Sequence, residues 1–409
     1  MKFSKLSQLL LVSAIGIIVA TLLTSCEIVT IDYVFVASST SVGGNGQIQT
    51  YDTDSKSGAL RFGQPAVPSG GTQPVAMAID SVYQNLYVAN LGNSSVVHFT
   101  VAGNGILKQA DSITTSSNPV ALGVNSAGTY LYVVSGPNPS VLTAYSLTNG
   151  TIGSQVSQQT LSLAAVSDAY ANDLLVPTGI SVLVNTSAIT GNAVFVSAYD
   201  QSAYNPGGTT SSTANPGWVF GFTIGSGGTL SPSPNSPYKA GIKPVAIAGT
   251  PTNEYVYVVD YASSQLIGYS VRDGDSLVFL INGPFRTGNE PTSIVIDPRG
   301  IFIYLSNSLD ETVSAYSIAL PTGTPSADVS VTGTAATTTD TDPVSIIVDP
   351  ALGRFVYTAN YLGNSVSGFK LNPSDGTIEQ TQATPYPTGA NPRALIAIPH
   401  GNHALSTPQ

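Results

Sequence analysis

The chain is poor in the residue types that carry most enzyme chemistry and covalent cross-linking. Its 409 residues include one cysteine, three histidines, one tryptophan and two methionines. A single cysteine excludes internal disulfides, so a fold of this size must be held by packing and strand pairing. His98 lies inside an alternating stretch at 95–100, where strand packing or surface exposure suits it better than metal ligation. His400 and His403 form an H-x-x-H pair with no carboxylate or cysteine nearby, a poor ligand set for a metal. Neither a G-x-S-x-G elbow nor a P-loop is present, and no motif calls for a cofactor. Charged residues make up only 9%, with 13 Lys and Arg against 23 Asp and Glu. The basic residues fall singly, which excludes the basic stripe that nucleic-acid binding requires.

What the chain has is a repeat. Pro74, Pro119, Pro177, Pro244, Pro291, Pro343 and Pro392 recur at spacings of 45, 58, 67, 47, 52 and 49 residues. Six of them open an alternating stretch, a polar turn and a second stretch rich in Val, Tyr and Ile. Clear copies are QPVAMAIDSVYQNLYVAN from Gln73 and KPVAIAGTPTNEYVYVVD from Lys243. Period-two spacing with Gly, Asn, Asp and Pro between the runs reads as short strands and tight turns. Repeats of this length predict a propeller with one four-stranded blade per interval, two of the blades being enlarged. The last copy supplies only a first strand. DYVFVASS from Asp32 and GQIQTYDTD from Gly46 supply a second and a third. The expectation is an all-β, seven-bladed propeller over residues 31–400, closed by pairing of its N- and C-terminal strands, with a tail at 401–409. Asp297-Pro and Asp349-Pro read as β-turns between first and second strands.

Residues 1–26 stand apart. Lys2 and Lys5 precede an apolar run at 9–23, followed by Leu23-Thr24-Ser25-Cys26. This is the layout of a secretory signal, and its end resembles the lipobox of bacterial lipoproteins. The resemblance implies lipidation at Cys26, a tether at 27–30, and a place in the cell envelope, facing the periplasm or the cell surface. Glu27 is compatible with outer-membrane sorting. Removal of Lys2 and Lys5 leaves 11 basic against 23 acidic residues, a net charge of −12.

Function on such a fold sits on the loops around the channel mouth. Two loops are enlarged, 162–176 and 199–217, and the topology sets them side by side on one face. The ends of the second strands align as Ser38, Asn90, Ser135, Ala198, Asp260, Asn307 and Asn360, followed in three blades by Tyr199, Tyr261 and Tyr361. Tyr199, Asp200, Tyr204, Tyr261, Asn307, Asn360 and Tyr361 are therefore candidate binding residues for a glycan or peptide, since tyrosine combines a flat apolar face with a polar tip. The competing reading is structural: Asn and Asp at a strand end bond the following turn. Arg393, Lys243, Arg286 and Glu290 fall near blade starts and are weighed as a shared charged site.

The LYVAN, LYVVS, VYVVD and VYTAN strands resemble the seven-bladed lactonase-like propellers, among them propeller-type 6-phosphogluconolactonases and muconate cyclases, and also the YVTN-repeat propellers of exported proteins. In its enzymatic members the resemblance implies a Pro-Arg-His blade start and an Asn-Glu-Leu strand end. Here Val245 and Ala246 stand where Arg and His would be, and Asp260 where the Glu would be. Arg393 follows Pro392, but Ala394 replaces the histidine. The expectation is thus an envelope-anchored binding module for a glycan, peptide or protein. The alternative is a lactone hydrolase with an altered site built on Asp260 and Arg393 as catalytic residues.

Overall fold

The structure, a computed structural model, describes residues 29–42, 44–185, 191–204, 216–326 and 337–401. Cys26, the signal segment and the tail beyond Gly401 lie outside the described residues. Among the described residues no helix is long and apolar enough to cross a membrane. Seven antiparallel sheets form seven blades. Their inner strands are Ala390–Pro399, Pro74–Ile79, Pro119–Val124, Leu175–Val182, Pro244–Gly249, Pro291–Ile296 and Pro343–Val348, so each repeat proline lies at or near the start of one.

Blade one is assembled from both ends of the chain. Thr30–Ser39 pairs on one side with Ala390–Pro399, with Tyr33 opposite Ile398 and Val36 opposite Leu395, and on the other side with Asn45–Asp54. The edges that an open array would expose are thereby removed. The four-strand count needs one refinement. In blades four, five and seven the outermost strand is broken into two short pieces that pair with the same third strand, as with Leu230–Pro232 and Tyr238–Lys239. Pro234, Pro237, Pro284 and Pro385 fall in or beside these breaks. Proline has no N–H for the ladder, so the outermost position is where it is tolerated.

The second strands, such as Asn85–Asn90 and Tyr255–Asp260, are buried at every position rather than at alternate ones. Blades stack face to face, so each sheet has a neighbour on both sides. The tyrosine of the repeat stitches those neighbours together. The Tyr87, Tyr257, Tyr304 and Tyr357 hydroxyls donate to the carbonyls of Gly150, Gly323, Gly376 and Gly58, each in the next blade, at 2.6–2.9 Å. The last of these crosses the closure. Tyr132, the counterpart in blade three, has a buried hydroxyl with no partner among the described residues. His98 is buried in blade two, stacked on Tyr87, with Nδ1 2.8 Å from Asp111 Oδ2 and Nε2 3.0 Å from Asn85 Oδ1.

The turn aspartates cap their turns. Asp297 accepts from the Ile301 and Phe302 N–H groups, and Asp349 from those of Leu352, Gly353, Arg354 and Phe355. At the closing seam a second carboxylate, Asp32, lies fully buried beside Asp349; the Ala351 N–H is directed at it, but among the described residues neither oxygen accepts a hydrogen bond of good geometry. Burial first, and then the Asp349 charge, hold Asp32 well above the usual carboxylate range.

Candidate binding face

The loops between second and third strands, and those leading from one blade to the next, share one face of the ring. On that face the two enlarged loops touch. Gln201 N–H donates to the Leu174 carbonyl at 2.8 Å, and Leu174 N–H donates to Ser202 Oγ at 3.1 Å. Residues 205–215 of the second loop lie outside the described residues.

The strand-end ring does not line the mouth. Ser38, Asn90, Ser135, Asp260, Asn307 and Asn360 are all buried, at 0–2% exposure. The assignment of Asp260 as a catalytic group is corrected by its surroundings. Its Oδ1 accepts from the Lys243 and Ala262 N–H groups, and its Oδ2 from the Ile242 N–H and the Ser263 hydroxyl. Such a carboxylate has no room for a substrate proton; it holds the start of blade five in place. Asn307 and Asn360 are likewise turned inward, donating to Thr312 and Ser314 and to Ser365 and Ser367. Asp200, also buried, caps its own turn through the Ser202 and Ala203 N–H groups. These four residues shape the face without presenting side chains to a ligand.

For part of the ring a sequence signal explains the burial. Four blades carry Gly three residues before the inner-strand proline: Gly71, Gly241, Gly288 and Gly389. A Cβ at Gly241 would lie 2.1 Å from Asp260 Oδ2, and one at Gly288 2.5 Å from Asn307 Cγ. The glycine lets the incoming backbone lie directly on the strand-end polar group. At Gly241 a φ of +73° adds a second reason for glycine.

The residues that do reach the mouth lie beside that ring. Lys243 Nζ sits over three tyrosine faces, 4.6 Å from the Tyr261 ring centre, 5.5 Å from Tyr204 and 5.8 Å from Tyr199. Tyr199 and Tyr204 meet edge to face at 5.3 Å. The Tyr261 hydroxyl donates to Glu290 Oε2 at 2.7 Å, and burial together with that carboxylate pushes the phenol up to about 12. Burial also raises Tyr199 and Tyr204. Two blades on, the Arg393 guanidinium lies 4.5 Å from the Tyr361 ring centre and donates to its hydroxyl at 3.1 Å. Asp342, just before Pro343, accepts from the Ser308 hydroxyl at 2.5 Å. Glu290 and Asp342 have φ of +51° and +59°. Gln73 and Asn391 have a similar φ at the same place, so this left-handed turn before the proline belongs to the repeat.

Among the described residues Arg393 is the only charged one lining the central channel, a space of about 240 Å³ walled by residues of all seven inner strands. It also closes a neighbouring recess of about 350 Å³ with Val75, Asp342, Val344 and Tyr361. Thus Lys243 and Glu290 share a cluster, bridged by Tyr261, while Arg393 belongs to a second cluster with Tyr361. Arg286 sits at the outer rim opposite Gln265 and joins neither. Asp260 and Arg393, the proposed catalytic pair, lie in blades five and one and make no contact. The face offers flat aromatic surface, two cations and hydrogen-bond acceptors, but among the described residues it holds no histidine.

Fold and face together define a seven-bladed β-propeller whose channel mouth is lined by tyrosine and isolated charges. Residues 229–409 match a family model described as Lactonase, 7-bladed beta-propeller, a span that takes in blades five to seven and the closing strand. No curated relative matches the chain. Among solved structures, the periplasmic gluconolactonase PpgL of Pseudomonas aeruginosa is similar, with a TM-score of 0.67 and 17% identity over 90% of this chain and 99% of that one. A candidate 6-phosphogluconolactonase from Bacteroides uniformis gives a TM-score of 0.68 and 16% identity over 90% and 100%. A protein from Lactobacillus plantarum gives 0.68 and 13% over 90% and 99%. At such identities the likeness is one of fold. The chain has the seven-bladed propeller fold, and over residues 229–409 it resembles the lactonase propellers.

Proposed function

We propose that this protein is a ligand-binding propeller of the cell envelope, anchored through a lipidated Cys26, with the tyrosine-bearing channel mouth as its working surface for a glycan or peptide. The observation that carries this reading is a division of labour on one face. Asp260, which would have to act as a base, is sealed by four donors, whereas Tyr199, Tyr204, Tyr261 and Tyr361 stay half-buried around Lys243 and Arg393. Half-buried tyrosines offer a rigid apolar platform with a polar tip, at low entropic cost on binding. The described chain begins beside Pro399, at the opposite end of the inner strand from Pro392. An anchor at Cys26 therefore leaves the tyrosine face turned away from the lipid. The test is a glycan and peptide screen of the mature protein beside a Tyr199→Ala, Tyr261→Ala double variant. Ligand interactions left unchanged in the variant would remove this site. For the anchor, Cys26→Ala should move the protein from the membrane to the soluble fraction.

A second reading is favoured by the family match: hydrolysis of a lactone. On this face a half-buried carboxylate available for acid–base work is Glu290, paired with the Tyr261 hydroxyl, rather than Asp260. This reading expects turnover across a lactone panel that falls at least tenfold in Glu290→Gln, a barrier change of about 1.4 kcal/mol. Rates equal to buffer would exclude it.

A further inference from the structure

The charges at the mouth are not paired with each other. Among the described residues no carboxylate oxygen lies within 4.0 Å of the Lys243 or Arg393 nitrogens, although Glu290 and Asp342 are close by. The two carboxylates are instead engaged by protein hydroxyls, Glu290 by Tyr261 and Asp342 by Ser308. The two cations are held against ring faces. Cation–π contact orients a charged head without consuming its N–H donors. Only one guanidinium N–H of Arg393 is committed, to the Tyr361 hydroxyl. A chain with 11 basic residues beyond its signal segment has placed two at this mouth with donors to spare.

The recess beside Arg393 adds shape. Its volume of about 350 Å³ falls within the ~300–1,000 Å³ range of small-ligand sites. Val75, Val344 and the Tyr361 ring give it apolar walls, and Asp342 supplies an acceptor. An acceptor carboxylate next to a single guanidinium disfavours a dianion such as phosphate. It favours a group that carries one negative charge and several hydroxyl donors.

Resting on the binding reading above, we infer that the mouth takes a carboxylate-bearing saccharide, a uronic acid or short oligouronate. In this arrangement the sugar carboxylates meet Arg393 and Lys243, ring faces lie on Tyr361 and Tyr261, and hydroxyls donate to Asp342. The experiment is titration calorimetry of the mature protein with trigalacturonate and with its fully methyl-esterified form, which keeps the shape and loses the charge. The expected result is binding of the acid at least tenfold tighter than of the ester, weakening as salt is raised from 20 to 300 mM, with a further tenfold loss in each of Arg393→Leu and Lys243→Met. Because the ester comparison uses the wild-type protein, it stands even where a variant folds poorly. Equal affinity for acid and ester, or no binding of the acid, overturns the inference. If a neutral glycan or a peptide then binds and the double tyrosine variant abolishes that binding, the broader binding reading survives alone. If no glycan or peptide binds either, both fall.

Discussion

The closing seam offers a sharp test of how this ring is held. Asp32 is fully buried, its one backbone donor, the Ala351 N–H, makes no hydrogen bond of good geometry to it, and the Asp349 carboxylate beside it is already saturated by four backbone N–H groups. An ionised Asp32 would be an unpaired buried charge, a condition that costs several kcal/mol even after relaxation. A protonated Asp32 has a hydroxyl to turn toward Asp349. The sign follows from the direction of the shift. The folded-state pKa is raised by burial and by Asp349, so the stabilisation is complete below the unfolded value near 3.8 and is lost as pH rises through the folded value. Asp32→Asn replaces the acid with a permanently neutral group that can donate. At pH 8 the variant should be more stable than wild type by about 1–3 kcal/mol, the worth of relieving an unsatisfied buried group. For a fold of this length that corresponds to roughly 1–4 °C in Tm. At pH 4 the gap should close. Asp54 and Asp375 are shifted downward and act with the opposite sign, which is why the difference between variant and wild type, rather than the wild-type curve, carries the test. Differential scanning calorimetry from pH 4 to 8 reads it. A variant less stable than wild type by the same amount at both pH values would refute the argument.

Two further expectations concern the same skeleton. Asp260→Ala leaves the Ile242 and Lys243 N–H groups without their acceptor and should destabilise by about 3 kcal/mol in chemical denaturation, whatever the fate of any ligand. Tyr357→Phe removes the hydroxyl that reaches Gly58 across the closure and should cost about 1 kcal/mol by the same measurement, whereas Tyr132→Phe, whose hydroxyl has no partner among the described residues, should be neutral or slightly stabilising.

The architecture was legible because a propeller writes its period into the chain. The proline spacing gave the blade number, and DYVFVASS matched to NPRALIAIP gave the closure, now seen as Tyr33 opposite Ile398. The broken outer strands were harder, because proline-rich edge segments carry no alternation to read. The candidate site was legible only in part. Tyr199, Tyr204, Tyr261 and Tyr361 do fall on one face, yet Asp260, Asn307, Asn360 and Asp200 point into the blades. A one-dimensional alignment places a strand-end residue on a face but does not say which way its side chain turns. For Asp260 and Asn307 the glycines three residues before proline held that information, since a backbone pressed onto the strand end leaves the polar group no way out; the blades of Asn360 and Asp200 carry Asp340 and Leu174 at that place and give no such signal. Lys243 and Glu290 were recognised as neighbours of the mouth, but their link through Tyr261 depends on an inter-blade distance that no local pattern encodes.

The split blade also sets how the molecule meets mechanical load. The first described strand, Thr30–Ser39, lies between two antiparallel neighbours and continues directly from the N-terminal segment. A pull transmitted through that segment runs along the strand axis, so both rows of hydrogen bonds are loaded at once in shear. Peeling would break them one after another at far lower force. A load applied at this end is met by one of the most strongly clamped strands of the ring.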